Sequence, residues 1–223
     1  GSIESGTTSF PVRGNVHLQD NRMLTIVDTP GFSRYLKHIV YGIYLSDLVV
    51  LAVEASSGVQ DGTATVMRTC SALDVPIIAI FVTKMDDTHD HPYSEEDYLK
   101  VSDDVMARWE KEVPKLDCPP IIPVSALCGE GFDESGRHLA WYKGISGLKV
   151  IRDAQASKAS DAIAPLRFVV EGGGQIFSPP GAGTCLVGCL ETGKLHPKDE
   201  LVLEPASTIE RKTIAVKVRS IQY

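Results

Sequence analysis

Three short polar segments each follow an apolar run, and their residue types are suited to binding a nucleotide. They are Asp28-Thr29-Pro30-Gly31, Thr83-Lys84-Met85-Asp86 and Ser125-Ala126-Leu127. A carboxylate at the end of a strand can hold Mg²⁺ through water, and a glycine amide in the following turn can contact a phosphate oxygen. Asp28 is therefore a predicted Mg²⁺ ligand, and Gly31 a predicted sensor of the terminal phosphate. An Asp-x-x-Gly segment alone is equally typical of an ordinary turn.

The second segment is the most specific of the three. The Asp86 carboxylate can accept hydrogen bonds from the N1–H and N2–H₂ groups of guanine, which adenine does not offer. The aliphatic stem of Lys84 can lie over the base, and the Thr83 hydroxyl can support the arrangement. Taken alone, this tetrapeptide also fits a capped surface turn.

The third segment completes a set of three whose order along the chain is informative. Ser125, Ala126 and Leu127 offer backbone donors for guanine O6, although such a segment is nearly uninformative alone. Because the three segments follow three apolar runs in this order, they predict a GTP-binding domain. The predicted ligands are GTP or GDP with Mg²⁺.

The phosphate-binding loop of such domains is missing from this sequence. No Gly-x-x-x-x-Gly-Lys-Ser/Thr segment occurs between residues 1 and 223. The amides and lysine of that loop supply most of the phosphate binding. We therefore expect nucleotide affinity to be lower by orders of magnitude. Two explanations stay open: further sequence upstream, or a naturally degenerate GTPase.

The three segments must be positioned by strands and helices, and the sequence pattern predicts that these alternate along the chain. Apolar runs at 23–27, 48–53, 76–82 and 121–124 predict buried parallel strands. Helices are predicted at 34–45, at 63–73, and from Ser94 as N-cap onwards. The last helix carries an apolar stripe, which we expect to face the core: Tyr98, Val101, Val105, Met106 and Trp109. The predicted fold class is α/β, with a doubly wound, mostly parallel sheet.

The character of the chain changes after this region. Residues 146–163 are small and polar and are predicted to form a linker. From residue 164, short strands alternate with Gly/Pro turns, which predicts part of a small β-barrel. The predicted organisation is a GTPase domain at 3–145, the linker, and the start of a second domain at 164–223.

Composition limits the classes of protein that fit. Of 223 residues, 43% are hydrophobic, and the net charge of −7 does not favour nonspecific nucleic-acid binding. Five scattered cysteines suggest reduced thiols in a cytoplasmic protein, and their spacing argues against a zinc site. No apolar stretch reaches membrane-spanning length, so no membrane partner is expected.

The same residues resemble a known family, the translational GTPases of the elongation factor 1-alpha/Tu type. The resemblance covers most of the chain and rests on several motifs: Asp28-Thr29-Pro30-Gly31, Lys84-Met85-Asp86, Pro123-Val124-Ser125-Ala126, Trp141-Tyr142-Lys143-Gly144, Pro165-Leu166-Arg167, Gly181-Ala182-Gly183-Thr184 and Glu191-Thr192-Gly193-Lys194-Leu195. It implies that residues 3–8 are the first switch, with Thr8 as a second Mg²⁺ ligand. Residues 3–8 and 34–37 also resemble the GTP-binding protein 1 branch, and the branch stays open.

One departure from the family bears on hydrolysis. The residue after Asp-x-Pro-Gly is a histidine in the family and positions the attacking water, whereas here it is Phe32. A phenyl ring cannot hydrogen-bond to water. His38 lies more than a helical turn further on and is a poor substitute. We therefore expect no catalytic residue at this position and slow or absent hydrolysis.

The resemblance implies a function for the full protein. It would be a GTP hydrolase that switches conformation on the ribosome and delivers aminoacyl-tRNA. Its partners would be the ribosome, tRNA or another RNA held by the second domain, and a nucleotide-exchange factor. The alternatives are a degenerate, non-hydrolysing scaffold, and a GTPase of ribosome rescue or RNA surveillance.

Overall fold

The computed structural model describes residues 12–18, 22–88, 91–133, 137–154, 164–170, 183–186, 188–204 and 214–221. The chain separates into two compact units, residues 1–157 and 158–223. Thr8 and the glycine-rich segment at 172–174 lie outside the described residues.

The first unit begins with an antiparallel hairpin. Strand β1 (Val12–His17) pairs with strand β2 (Met23–Asp28), and Val12 stands opposite Asp28. The sequence prediction was wrong in two respects here: it omitted β1, and it placed residues 23–27 in the parallel sheet. Within the described part of the chain, β2 takes its ladder bonds from β1 alone. Strand β1 was missed because only two of its six residues are apolar.

A three-stranded parallel sheet forms the centre of this unit. Strands β3 (Val49–Glu54), β4 (Ile77–Thr83) and β5 (Ile121–Pro123) lie in the order β3-β4-β5. Helix α1 (Leu36–Tyr44) precedes β3, and α2 (Asp61–Leu73) connects β3 to β4. Helix α3 (Glu95–Glu112) connects β4 to β5. The predicted α/β class with a parallel sheet is thus confirmed.

Helix α3 buries one face in the main core. Its first turn is capped as predicted, because the Ser94 hydroxyl accepts a hydrogen bond from the Asp97 amide. Four of the five predicted stripe residues are buried: Tyr98, Val101, Val105 and Trp109. The prediction was wrong for Met106, whose side chain is 41% exposed. Residue 106 lies about 100° around the helix from Val105 and so points away from the buried face.

The predicted linker contains a helix, α4 (Gly147–Asp153). Val150 on this helix is buried in a cluster with Ala79, Phe81 and Ile122 on the sheet. The linker prediction was wrong for these residues because seven residues are too few to show a helical period. Residues 155–163 lie outside the described part of the chain.

The second unit is described as two antiparallel strand pairs. Strand β6 (Arg167–Val170) pairs with β7 (Gly188–Thr192), and β8 (Glu200–Leu203) pairs with β9 (Ile214–Lys217). Short antiparallel strands agree with the sequence pattern, and the barrel stays a prediction. Among the described residues, no helix has the length and apolar character needed to cross a membrane.

Candidate guanine-nucleotide site

The carboxyl ends of the parallel strands bring two of the predicted segments together. The Thr83 hydroxyl at the end of β4 donates to the Val53 carbonyl on β3, at 3.3 Å. The Met85 amide donates to the Val124 carbonyl just after β5, at 3.2 Å. These bonds hold the Thr83–Asp86 segment against both neighbouring strands.

Asp86 and Ser125 form the centre of the site. The Ser125 hydroxyl donates to the Asp86 carboxylate. Ser125 is fully buried, and its oxygen also accepts a bond from the Cys128 amide at 3.2 Å. The Ser125 hydroxyl therefore orients the Asp86 carboxylate and occupies one of the acceptor sites of that carboxylate. Further acceptor sites remain for the edge of a base.

The turn after β5 is open on its outer side. The Ser125 amide donates to the Glu130 carbonyl at 3.0 Å, which closes the turn. Ala126 and Leu127 are exposed, and Leu127 is 85% exposed. The predicted backbone donors thus lie on an exposed turn next to Asp86, as contact with a base requires.

Lys84 adopts a left-handed backbone conformation, with φ of +58°. Its ammonium donates to the Glu54 carboxylate at the end of β3, with Nζ and Oε1 2.9 Å apart. This bond lowers the pKa of Glu54 and raises the pKa of Lys84. Sequence reasoning missed Glu54, whose only signal is its place at the end of an apolar run.

Tyr93 is a second residue that sequence reasoning missed. It has a strained φ of +63°; its amide donates to the Met85 carbonyl, and its own carbonyl accepts a bond from the Trp141 indole at 3.1 Å. Its ring stacks on His138, with ring centres 4.6 Å apart. A hydrogen bond with the Cys128 thiol raises the pKa of Tyr93 to about 12. Tyr93 thereby links the guanine segment to the turn after β5.

Helices α1 and α2 position the Asp28–Gly31 segment. Gly42 on α1 packs so closely on the Thr29 side chain that a Cβ at residue 42 would clash with it. Gly62 on α2 lies equally close to the Gly31 carbonyl. These two glycines lie 13 and 31 residues along the chain from the residues that they contact. Their packing role is therefore not recognisable from local sequence.

The residues predicted for Mg²⁺ are only partly described. Asp28 ends β2, and Thr8 lies outside the described residues. No group of three or more His, Cys, Asp or Glu side chains in the described part of the chain is arranged to hold a metal. The assignments of Asp86 to guanine and of Asp28 and Thr8 to Mg²⁺ both stay predictions.

Phe32 is exposed at the start of the turn that leads into α1. Its side chain is 55% exposed, and the Arg34 guanidinium lies 5.0 Å from its ring centre. Arg34 lies equally close to Tyr35. Residue 32, where the family has its water-positioning histidine, is therefore a phenylalanine packed against a cation. Its ring has no nitrogen that could accept a proton from water.

The turn after β5 depends on Gly131, and this gives a first testable prediction. Gly131 has φ of +81°, and a Cβ there would clash with the Pro123 carbonyl. Gly131→Ala should push the turn away from β5, lower the midpoint of thermal unfolding and weaken GDP binding, each measured on the purified chain.

Gly129→Ala is the matched control for this change. Gly129 has nearly the same φ, +74°, but no atom lies within 4 Å of a Cβ there. Both variants carry the backbone strain of roughly 1 kcal/mol, and only Gly131→Ala adds the clash. Equal losses in the two variants would contradict the assignment of Gly131 as a packing glycine.

Fold and site together define an α/β domain with an oriented carboxylate and an exposed turn at the carboxyl ends of its parallel strands. The chain belongs to a family: the model of the elongation factor Tu GTP-binding domain matches residues 1–190. It is 32% identical over 204 residues to elongation factor 1-alpha of Pyrococcus abyssi and to that of Thermococcus gammatolerans. Each match covers 91% of this chain and 45% of the relative. The chain thus spans under half the length of these relatives.

Solved structures show the same fold. Translation elongation factor SelB from Methanococcus maripaludis, in complex with the GTP analogue GppNHp, matches with a TM-score of 0.74 and 24% identity. The match covers 97% of this chain and 42% of that protein. A bacterial selenocysteine-specific elongation factor matches with a TM-score of 0.72 and 23% identity, over 98% of this chain and 33% of that one.

Proposed function

We propose that this chain binds the guanine base of GTP and GDP at the carboxyl ends of β4 and β5. One observation carries the proposal: the Ser125 hydroxyl orients the Asp86 carboxylate beside an exposed turn of backbone donors. An oriented carboxylate with acceptor sites left over recognises a donor–donor edge, which is the N1–H and N2–H₂ edge of guanine.

Each residue then has a defined part in recognition. Asp86 accepts the two hydrogen bonds from the base, and the amides near Ala126 and Leu127 donate to O6. The stem of Lys84 covers one face of the base. Thr83 ties the segment to β3 through the Val53 carbonyl. Adenine offers an acceptor at N1 and an amine in place of O6, so both sets of contacts select against it.

At the phosphate end, Asp28 and Thr8 would hold Mg²⁺ and Gly31 would contact the terminal phosphate. Mg²⁺ supplies charge that offsets the phosphates when it is bound. The Asp28–Gly31 segment packs directly on α1 and α2 through Thr29 and Gly31. Gly31 contacts α2 and Thr29 contacts α1. A GTP-dependent rearrangement of the whole segment would therefore displace both helices.

The whole protein would act in translation. Its relatives are named elongation factors, and the family is a GTP-binding domain. We propose GTP hydrolysis coupled to a conformational change on the ribosome, with aminoacyl-tRNA as cargo, a nucleotide-exchange factor as partner and the cytoplasm as location. The second unit, residues 158–223, would contribute to RNA contact.

A second candidate is a guanine-nucleotide-binding scaffold that hydrolyses GTP slowly or not at all. Phe32 favours it, because the exposed ring offers no hydrogen bond to an attacking water. The two candidate functions share the guanine site and differ in the rate of GTP hydrolysis.

Titration calorimetry of GDP, GTP and ADP with Mg²⁺ into the purified chain tests the binding proposal. We expect heat of binding for GDP and GTP and none for ADP. Equal binding of ADP and GDP would overturn the assignment of Asp86 to guanine, and no binding of any nucleotide would overturn the proposal for this chain.

Ribosome-stimulated GTP turnover of the unaltered full-length protein separates the two candidates, and a Phe32→His variant tests whether Phe32 limits that turnover. An imidazole here can orient a water, and we expect ribosome-stimulated GTP turnover to rise by roughly a hundredfold or more, the lower end of the range for positioned acid–base groups. His38→Ala should leave turnover unchanged if His38 has no part in hydrolysis. No gain in the Phe32→His variant would contradict the view that Phe32 is what limits hydrolysis.

A further inference from the structure

Glu54 is an acidic residue at the mouth of the guanine site with no part in the recognition described so far. It is the last residue of β3, directly opposite Thr83 in the register of β3 and β4. Its Oε1 accepts the Lys84 ammonium at 2.9 Å and the Ser56 hydroxyl at 3.0 Å. One oxygen of the Glu54 carboxylate therefore accepts hydrogen bonds from both the Lys84 ammonium and the Ser56 hydroxyl.

The backbone around Glu54 is fixed by further bonds. Its carbonyl accepts the Gly58 amide at 2.8 Å, and the Ala55 amide donates to the Thr83 carbonyl at 2.9 Å. The carboxylate thus projects from a strand end that is tied both to its own turn and to β4. A lysine held by this group is held relative to the sheet.

The Lys84 side chain needs such a tether. It is 59% exposed, and a lysine side chain has about 2 kcal/mol of rotamer entropy to lose on being held in one conformation. With the ammonium bound to Glu54, both ends of the stem are fixed: one by the left-handed backbone and one by the ion pair. The stem is then held in place before a base arrives.

We propose that Glu54 is a positioning residue that holds the Lys84 stem in place at the guanine site and so raises nucleotide affinity. This inference rests on the proposed binding of guanine nucleotide at Asp86. Glu54 acts through Lys84 and touches no part of the nucleotide. Because the pair is largely exposed, its effect on affinity is a modest one.

The test uses Glu54→Gln in the full 223-residue chain and follows the Lys84 ammonium by ¹⁵N NMR without nucleotide. We expect a separate ammonium resonance, slow to exchange with water, that Lys84→Arg removes and Glu54→Gln shifts and broadens. GDP affinity in the Glu54→Gln variant should fall by about threefold to fivefold, the range of an exposed ion pair. Glu54→Asp, which keeps the charge, should recover part of both signals.

Glu112→Gln is the matched control, because Glu112 at the end of α3 is also paired, with Arg68 on α2 at 2.9 Å and Arg108 on α3 at 3.3 Å. It should leave the Lys84 resonance and GDP affinity unchanged. An unshifted Lys84 resonance in Glu54→Gln would overturn the tether, and a shifted resonance with unchanged GDP affinity would overturn its role in binding. If the unaltered chain binds no nucleotide, the function proposed above fails and the affinity role fails with it, while the resonance still decides whether Glu54 holds Lys84.

Discussion

Asp86→Asn should weaken GDP binding by roughly a hundredfold to ten-thousandfold. The carboxylate accepts two hydrogen bonds from the base, and each bond to a charged group is worth about 1.5–3 kcal/mol. An asparagine amide turns one acceptor into a donor that faces the N–H groups of guanine. The loss would be measured by titration calorimetry with GDP in the presence of Mg²⁺.

Xanthine nucleotides supply the complementary arm of this experiment. Xanthine carries an oxygen where guanine carries the N2 amine, so the amide of Asp86→Asn can donate to it. We expect the variant to prefer XDP over GDP, reversing the preference of the unaltered chain. A variant that loses both nucleotides equally, with its fold intact by circular dichroism, would contradict direct recognition of the base by Asp86.

Asp87→Asn is the control, one residue further along the same 3₁₀ turn (Met85–Asp87). The change removes the same charge beside the site and does not alter the group that Ser125 orients. We expect GDP affinity to change less than about fivefold. A loss as large as that of Asp86→Asn would indicate a general effect of charge.

The largest effect on stability is expected for Trp109→Ala. Trp109 is 4% exposed in the core cluster, and its indole donates to the Leu116 carbonyl at 2.8 Å. Truncating a buried tryptophan lowers the free energy of unfolding by about 3–5 kcal/mol. This figure includes the loss of the indole hydrogen bond. Urea unfolding followed by far-ultraviolet circular dichroism would measure the free energy of unfolding of the first unit.

Met106→Ala on the same helix is the matched control. Its side chain is 41% exposed, and alanine is a good helix former. We expect the free energy of unfolding to change by less than about 0.5 kcal/mol. Similar losses for Met106→Ala and Trp109→Ala would contradict the orientation of α3 described above.

The helix α3 also shows where sequence reasoning reached its limit for the fold. Ser94 as N-cap and the 3.6-residue spacing of Tyr98, Val101, Val105 and Trp109 are local features, and the structure confirms them. The spacing could not exclude Met106, because an apolar residue at the margin of a stripe is buried or exposed according to what packs beside it.

The hairpin of β1 and β2 shows the same limit for strand pairing. Apolar runs located β2, β3, β4 and β5 to within a few residues. They could not show that β2 pairs with β1, because β1 has little apolar character and pairing joins residues up to 16 positions apart. The helix α4 was missed because seven residues show too little period.

For the site, the sequence alone predicted a guanine role for Thr83–Asp86 and for the serine that follows β5. Residue types and order were sufficient, because a carboxylate at a strand end and a small polar turn at the next strand end are each read within a few residues. The structure places Asp86 and Ser125 in contact through the serine hydroxyl and ties Thr83 to β3, and their roles at a nucleotide stay predictions. The assignments of Asp28 and Thr8 to Mg²⁺ stay predictions.

Only the tertiary structure revealed Glu54, Tyr93 and the packing of Gly62 on Gly31. Glu54 lies 30 residues from Lys84, and Tyr93 lies 48 residues from Trp141. Each is an ordinary residue in its own segment, and its role exists only once distant segments are in contact. The candidate site residues are thus recognisable in the sequence, whereas the contacts that support them depend on the fold, because hydrogen bonds and ion pairs act over a few ångströms of space and not along the sequence.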